Sequence, residues 1–130
     1  FYKKEQIEKF SKKLKKVKLT IGDYRKSLKT AKKGDFVYLD PPYVPDDFNK
    51  YNVKYGKVEW DEDDFLNLVN MVEELDDRGC YIMLSNSDSK FIRKHFPKKK
   101  YNVVKVPIHR SLSPNMKFRG YQYELLIMNY

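Results

Sequence analysis

Several residue types that mark common protein classes are scarce in this 130-residue chain. A single cysteine, Cys80, excludes an internal disulfide, and its place in the apolar run "CYIML" makes it a small core residue. His95 and His109 are the only histidines and have no cysteine or histidine at ligand spacing, so no metal site is expected. No apolar run approaches the ~18 residues of a membrane-spanning helix, and no charged-apolar-small cleavage pattern opens the chain. Neither membrane nor export is indicated, and an intracellular setting is expected. The five glycines, Gly22, Gly34, Gly56, Gly79 and Gly120, are scattered and form no clustered loop. Internal repeats and low-complexity blocks are absent.

What is present is enough for one globular domain, since 41% of residues are hydrophobic and 15% aromatic. Lysine and arginine number 27 against 18 acids, a net charge of +9, with clusters at Lys12-Lys13, Lys15-Lys16, Lys32-Lys33 and Lys98-Lys99-Lys100. Such a balance favours polyanionic partners through counterion release.

The hydrophobic pattern sets an order of elements. Ile7, Phe10, Leu14 and Val17 are spaced as one helix face. The chain starts without a methionine and already within or just before that helix, which points to the later part of a longer protein. "VKLTIGDY" alternates as a short strand ending at Asp23 and Tyr24, and "DFVYL" is a second strand. "WDEDDFLNLVNMVEELDDRG" has acids in its first turn, an apolar face from Phe65 to Leu75 and Gly79 as a stop, which predicts a helix. "CYIMLS" is a third, buried strand. A short helix over Ser89 to His95 ends before Pro97, and "YNVVKVPI" and "YQYELLIMNY" are closing strands around an exposed, basic hairpin loop, "HRSLSPNMKFRG". This order predicts an α/β fold with a mostly parallel sheet that finishes in an antiparallel hairpin. Ligands of such sheets bind beyond the carboxyl ends of the strands, where Asp23, Asp40 and Ser85-Asn86 fall in this reading.

The chemistry concentrates in "GDFVYLDPPY", residues 34 to 43, where an apolar strand stops at Asp40, Pro41, Pro42 and Tyr43. Two prolines fix φ and remove two backbone donors, so the Asp40 carboxylate and the Asp40 and Pro41 carbonyls form a stiff array of acceptors. That array suits a substrate donating two hydrogens from one atom, as the exocyclic amino group of a nucleobase does. Tyr43 supplies a flat face for an extruded base. The ring carries this role, so replacement of Tyr43 by phenylalanine is expected to be tolerated. Catalysis by such an array rests on positioning and electrostatics, with no covalent step.

In these segments the sequence resembles the Dam-like (DpnM-like) DNA adenine-N6 methyltransferases, whose signature is Asp-Pro-Pro-Tyr. The resemblance covers nearly the whole chain. "IGDY" is similar to the segment beside the adenine ring of S-adenosylmethionine, and "FNKYNVKYGKVEW" to the variable loop after the catalytic motif. "MLSNSDS" resembles the Ser-Asn strand end and "HRSLSPNMKFRGYQYELLIMNY" the closing hairpin. The resemblance implies a Rossmann-like methyltransferase fold and S-adenosylmethionine as cofactor, bound by Asp23, Tyr24 and Asp40. Asp40, Pro41, Pro42 and Tyr43 would be catalytic. Tyr43, Phe48, Tyr51, Ser85, Asn86, Arg110 and Arg119 would face the substrate, duplex DNA, with Phe48, Tyr51 and Tyr55 closing over the base and the two arginines on the DNA backbone. GATC is the implied target.

The family's Phe-x-Gly-x-Gly cofactor loop, its ribose-binding acid and its target-recognition segment are not in this sequence. Residues 1–130 are therefore expected to be the carboxyl-terminal part of one catalytic domain, requiring the missing amino-terminal half as a partner. Two strands between those before Asp23 and Asp40 are expected to come from that half. The alternatives are an RNA or protein amino-group methyltransferase using the same acceptor array, or an inactive nucleic-acid-binding fragment.

Overall fold

The computed structural model describes residues 3–45, 48, 53–55, 58–110 and 120–130. Helix α1 spans Lys4–Leu14, a short α2 spans Tyr24–Leu28, and strand β1 is Phe36–Leu39. A small antiparallel pair follows, β2 (Val53–Tyr55) with β3 (Val58–Trp60). Then come α3 (Glu62–Asp77), β4 (Tyr81–Ser87), α4 (Lys90–His95), β5 (Asn102–Arg110) and β6 (Gly120–Met128).

The main sheet has the order β1-β4-β6-β5. It is mixed rather than mostly parallel: β1 and β4 run parallel, whereas β4–β6 and β5–β6 are antiparallel. The last strand enters between β4 and β5, so the hairpin predicted from sequence supplies both antiparallel pairings. The crossover between the parallel strands is α3, the helix predicted from its apolar spacing. Asp61 and Asp64 close its first turn reciprocally, each side chain accepting from the other's backbone N–H.

Register decides which face is buried. Val37 and Leu39 lie beside Ile82 and Leu84, and Leu84 and Asn86 lie beside Ile127 and Leu125. This face packs on Phe65, Leu68, Val72 and Leu75 of α3 and on Ile92 and Phe96. Cys80, at the α3–β4 junction, is buried as predicted. The other face carries Phe36, Tyr38, Tyr81 and Val104, all exposed among the described residues.

One sequence expectation fails at the amino-terminal side. "VKLTIGDY" forms no strand. Gly22 turns there at φ +141°, Leu19 and Ile21 are exposed, and Asp23 becomes the N-cap of α2. An alternating segment becomes a strand only when a neighbour takes its backbone hydrogen bonds, and none of the described strands lies beside it. The predicted helix does form, but α1 buries no residue, and Ile7, Phe10 and Val17 remain exposed.

Candidate functional site

Strand pairing brings the Asp-Pro-Pro-Tyr segment against β4. Leu39 is in parallel register with Leu84, so the next residues, Asp40 and Ser85, meet. The Ser85 hydroxyl donates to Asp40 Oδ1 at 2.8 Å and itself accepts from the Tyr38 hydroxyl at 3.1 Å. One position on, the Asn86 side chain, fully buried, accepts from the Val44 N–H at 2.9 Å and donates to the Pro42 carbonyl at 3.4 Å. Ser87 Oγ donates to the Val44 carbonyl. Three successive residues of β4 thus hold residues 40 to 44 along their length. Among the described residues no hydrogen bond reaches the Pro41 carbonyl, so the acceptor array stays available on its outer side.

Tyr43 is half-buried, and its hydroxyl donates to Glu124 Oε2 on β6 at 2.6 Å. Burial first, and then this bond to a carboxylate, push its phenol well above the usual value.

Beside Asp40 opens a cavity of about 750 Å³, lined by residues that include Asp23, Tyr24, Tyr38, Asp40, Pro41 and Trp60. Tyr24 and Trp60 stack at a centroid distance of 5.7 Å and an interplanar angle of 28°. They make an aromatic wall, backed by Phe65, whose ring centroid lies 5.1 Å from that of Trp60. Asp23, Asp40 and Asp64 bring three carboxyl groups to the cavity of a chain whose net charge is +9. Asp23 accepts from the Arg25 backbone N–H and, through both oxygens, from its guanidinium, with a shortest distance of 2.6 Å. These bonds hold its carboxyl down to about 2.

The sequence-predicted residues divide accordingly. Asp23, Tyr24, Asp40, Pro41 and Pro42 line one cavity, with Asp23 reaching it from a helix N-cap and not from a strand end. Ser85 and Asn86 sit behind the motif and bond to it. Phe48 is not among the cavity's lining residues, and its ring packs on Phe65 and Phe91 at 5.6 and 5.5 Å. Tyr51 and Arg119 lie outside the described residues, as do the side chains of Tyr55 and Arg110. Arg110 closes β5 in register with Gly120. Trp60, Tyr38 and Glu124 were missed. The one available signal was Glu124 itself, an acid in the middle of the apolar run "YELLIM".

No described helix is long and apolar enough to cross a membrane, and no group of three or more His, Cys, Asp or Glu among the described residues is placed to hold a metal.

Comparison with known proteins points to one family. The family model described as D12 class N6 adenine-specific DNA methyltransferase matches residues 1–110. A type II methyltransferase of Lactococcus lactis subsp. cremoris is 33% identical over 129 residues, covering 98% of this chain and 45% of the relative. A type II methyltransferase of Methanocaldococcus jannaschii is 34% identical over 131 residues, 99% of this chain and again 45% of the relative. A DNA adenine methylase of Escherichia coli is 27% identical over 128 residues, with coverages of 98% and 45%. The chain spans about half the length of these relatives.

Proposed function

The chain belongs to the D12 class N6 adenine-specific DNA methyltransferases, and from that membership we propose that the whole protein methylates the N6 amino group of an adenine swung out of duplex DNA. Residues 1–130 act as the carboxyl-terminal part of one Rossmann-like catalytic domain. The missing amino-terminal half supplies the glycine loop, the target-recognition segment and cover for the exposed sheet face. The open edge of β1 is where its strands would join.

One observation supports the reading: Asp40 and Pro41 both line an aromatic-walled, acid-lined cavity. The cavity fits S-adenosylmethionine. Tyr24 and Trp60 offer faces to its adenine, Asp23 an acceptor for the adenine amino group, and the carboxylates a favourable field for a cation. When bound, that cofactor supplies an electrophilic methyl group on a sulfonium.

The chain's own groups do the rest. Asp40 and the Pro41 carbonyl accept the two hydrogens of the target amino group, which turns the nitrogen lone pair out of the base plane. The carboxylate also stabilises the positive charge that develops on that nitrogen. Ser85 holds Asp40 in place, and Tyr43 stacks on the extruded ring. Arg110 and Arg119 on the closing hairpin meet DNA phosphates, Tyr51 covers the base, and the enzyme works inside the cell with GATC as the first target to test.

Methyl transfer from labelled cofactor, measured with the full-length protein on duplex DNA and on RNA, tests the reading. DNA labelling supports it. RNA-only labelling would establish the RNA amino-group alternative, and DNA binding without transfer would establish the inactive one.

A further inference from the structure

We propose that Glu124 is a positioning residue that fixes the ring of Tyr43 for the extruded base; this rests on the reading above. Nothing in the Asp-Pro-Pro-Tyr motif predicts it, because the two residues are 81 positions apart and meet only through β6. Tyr43 is held at its backbone end by rigid prolines and by Asn86, which takes the Val44 N–H and the Pro42 carbonyl. Those contacts set where the chain runs, and the ring is fixed at its hydroxyl end, where Ser85 also lies. The bond from the Tyr43 hydroxyl to Glu124 Oε2, 2.6 Å long, is the charge-bearing contact at that far end of the ring. It is charge-assisted and half-buried, the class of hydrogen bond that holds geometry best.

Glu124 is itself well fixed. It lies in register with Ser87 of β4 and Val106 of β5, so strands on both sides anchor its backbone. The phenol is a donor at neutral pH in any case, and burial raises its value further. A stacking platform clamped at both ends avoids the entropy of ordering the ring when the base arrives. The hydroxyl therefore has a task that stacking alone does not require, and phenylalanine is no silent replacement.

The test uses the full-length protein and a duplex carrying 2-aminopurine at the methylated position, located by sequencing methylated DNA. Tyr43→Phe and Glu124→Ala should each lower kcat/KM about 10-fold or more and weaken the fluorescence rise of the extruded base, while DNA affinity holds. Glu124→Gln, which still presents an acceptor, should recover part of the loss. The losses in the double variant should be clearly less than additive, because the Tyr43–Glu124 bond is common to both single variants. Wild-type kcat/KM and extrusion in Tyr43→Phe, or additive losses in the double variant, overturn the proposal. Tyr43→Phe leaves β6 untouched and decides the matter if Glu124→Ala does not fold. If the unaltered protein transfers no methyl group to DNA, the functional reading fails and takes this one with it; an active enzyme with indifferent variants removes the tether alone.

Discussion

The hydroxyl of Ser85 on β4 donates to Oδ1 of Asp40 at 2.8 Å, and Tyr38 in turn donates to Ser85, so the acid of the motif is held from behind by two hydroxyls. The brace fixes the orientation of a carboxylate that stays exposed to the cavity. If Asp40 holds the reacting amino group, Asp40→Ala should lower methyl transfer on the order of 10²-fold or more. Ser85→Ala keeps the carboxylate but loses its brace, and should cost about 10-fold. Single-turnover rates of the full-length protein check both, and wild-type rates in a folded Asp40→Ala would remove that residue from the mechanism.

Asn86 is a stability residue before it is anything else. Replacing it by alanine strips the Val44 N–H and the Pro42 carbonyl of their partner in a buried position, which should destabilise by about 1 to 3 kcal/mol. Denaturant unfolding of the full-length protein reads this directly. An unchanged midpoint would mean that water replaces the amide.

Asp23 titrates abnormally low, at about 2, because Arg25 grips it. A carboxyl with a depressed folded value stabilises fully above its ordinary value of 3.8 and loses that contribution as pH falls toward 2. Cofactor binding should therefore show no titration of Asp23 between pH 5 and pH 8. In Arg25→Ala the carboxyl should return toward 3.8, visible as a shifted carbon resonance in an NMR titration; an unmoved titration would show that Arg25 is not its partner in solution.

Arg78 fastens α2 to the end of α3. Its guanidinium donates to the Leu28 and Ala31 carbonyls at 3.0 and 2.9 Å and to the Glu74 carbonyl at 3.2 Å. Lysine lacks the planar fork that reaches all three. Arg78→Lys should destabilise by about 1 to 3 kcal/mol and weaken cofactor binding, since α2 carries Tyr24 and its cap carries Asp23. Calorimetric titration with the cofactor measures the second effect, and full affinity in a less stable variant would confine Arg78 to the fold.

Residues 1–130 produced alone should associate or aggregate. One sheet face exposes Phe36, Tyr38, Tyr81 and Val104, and α1 leaves Ile7 and Phe10 in water. Light scattering and a thermal melt decide this. A monomer with one cooperative transition would show that these surfaces need no cover.

What the residues alone determined was local. Apolar spacing located α3, the acids of its first turn announced the cap, and the apolar run in "YQYELLIMNY" marked the last strand, because these signals span only a few residues. The motif at Asp40 was legible for the same reason: two prolines constrain a backbone wherever they stand. What only the tertiary structure decided was how distant segments meet. Parallel register set Ser85 behind Asp40, insertion of β6 between β4 and β5 carried Glu124 to Tyr43, and the turn at Gly22 brought Tyr24 onto Trp60. The failed strand at "VKLTIGDY" has the same origin. An alternating pattern states that a segment is able to join a sheet, whereas joining requires a neighbour whose N–H and C=O groups lie in reach, and no short stretch of sequence specifies that neighbour.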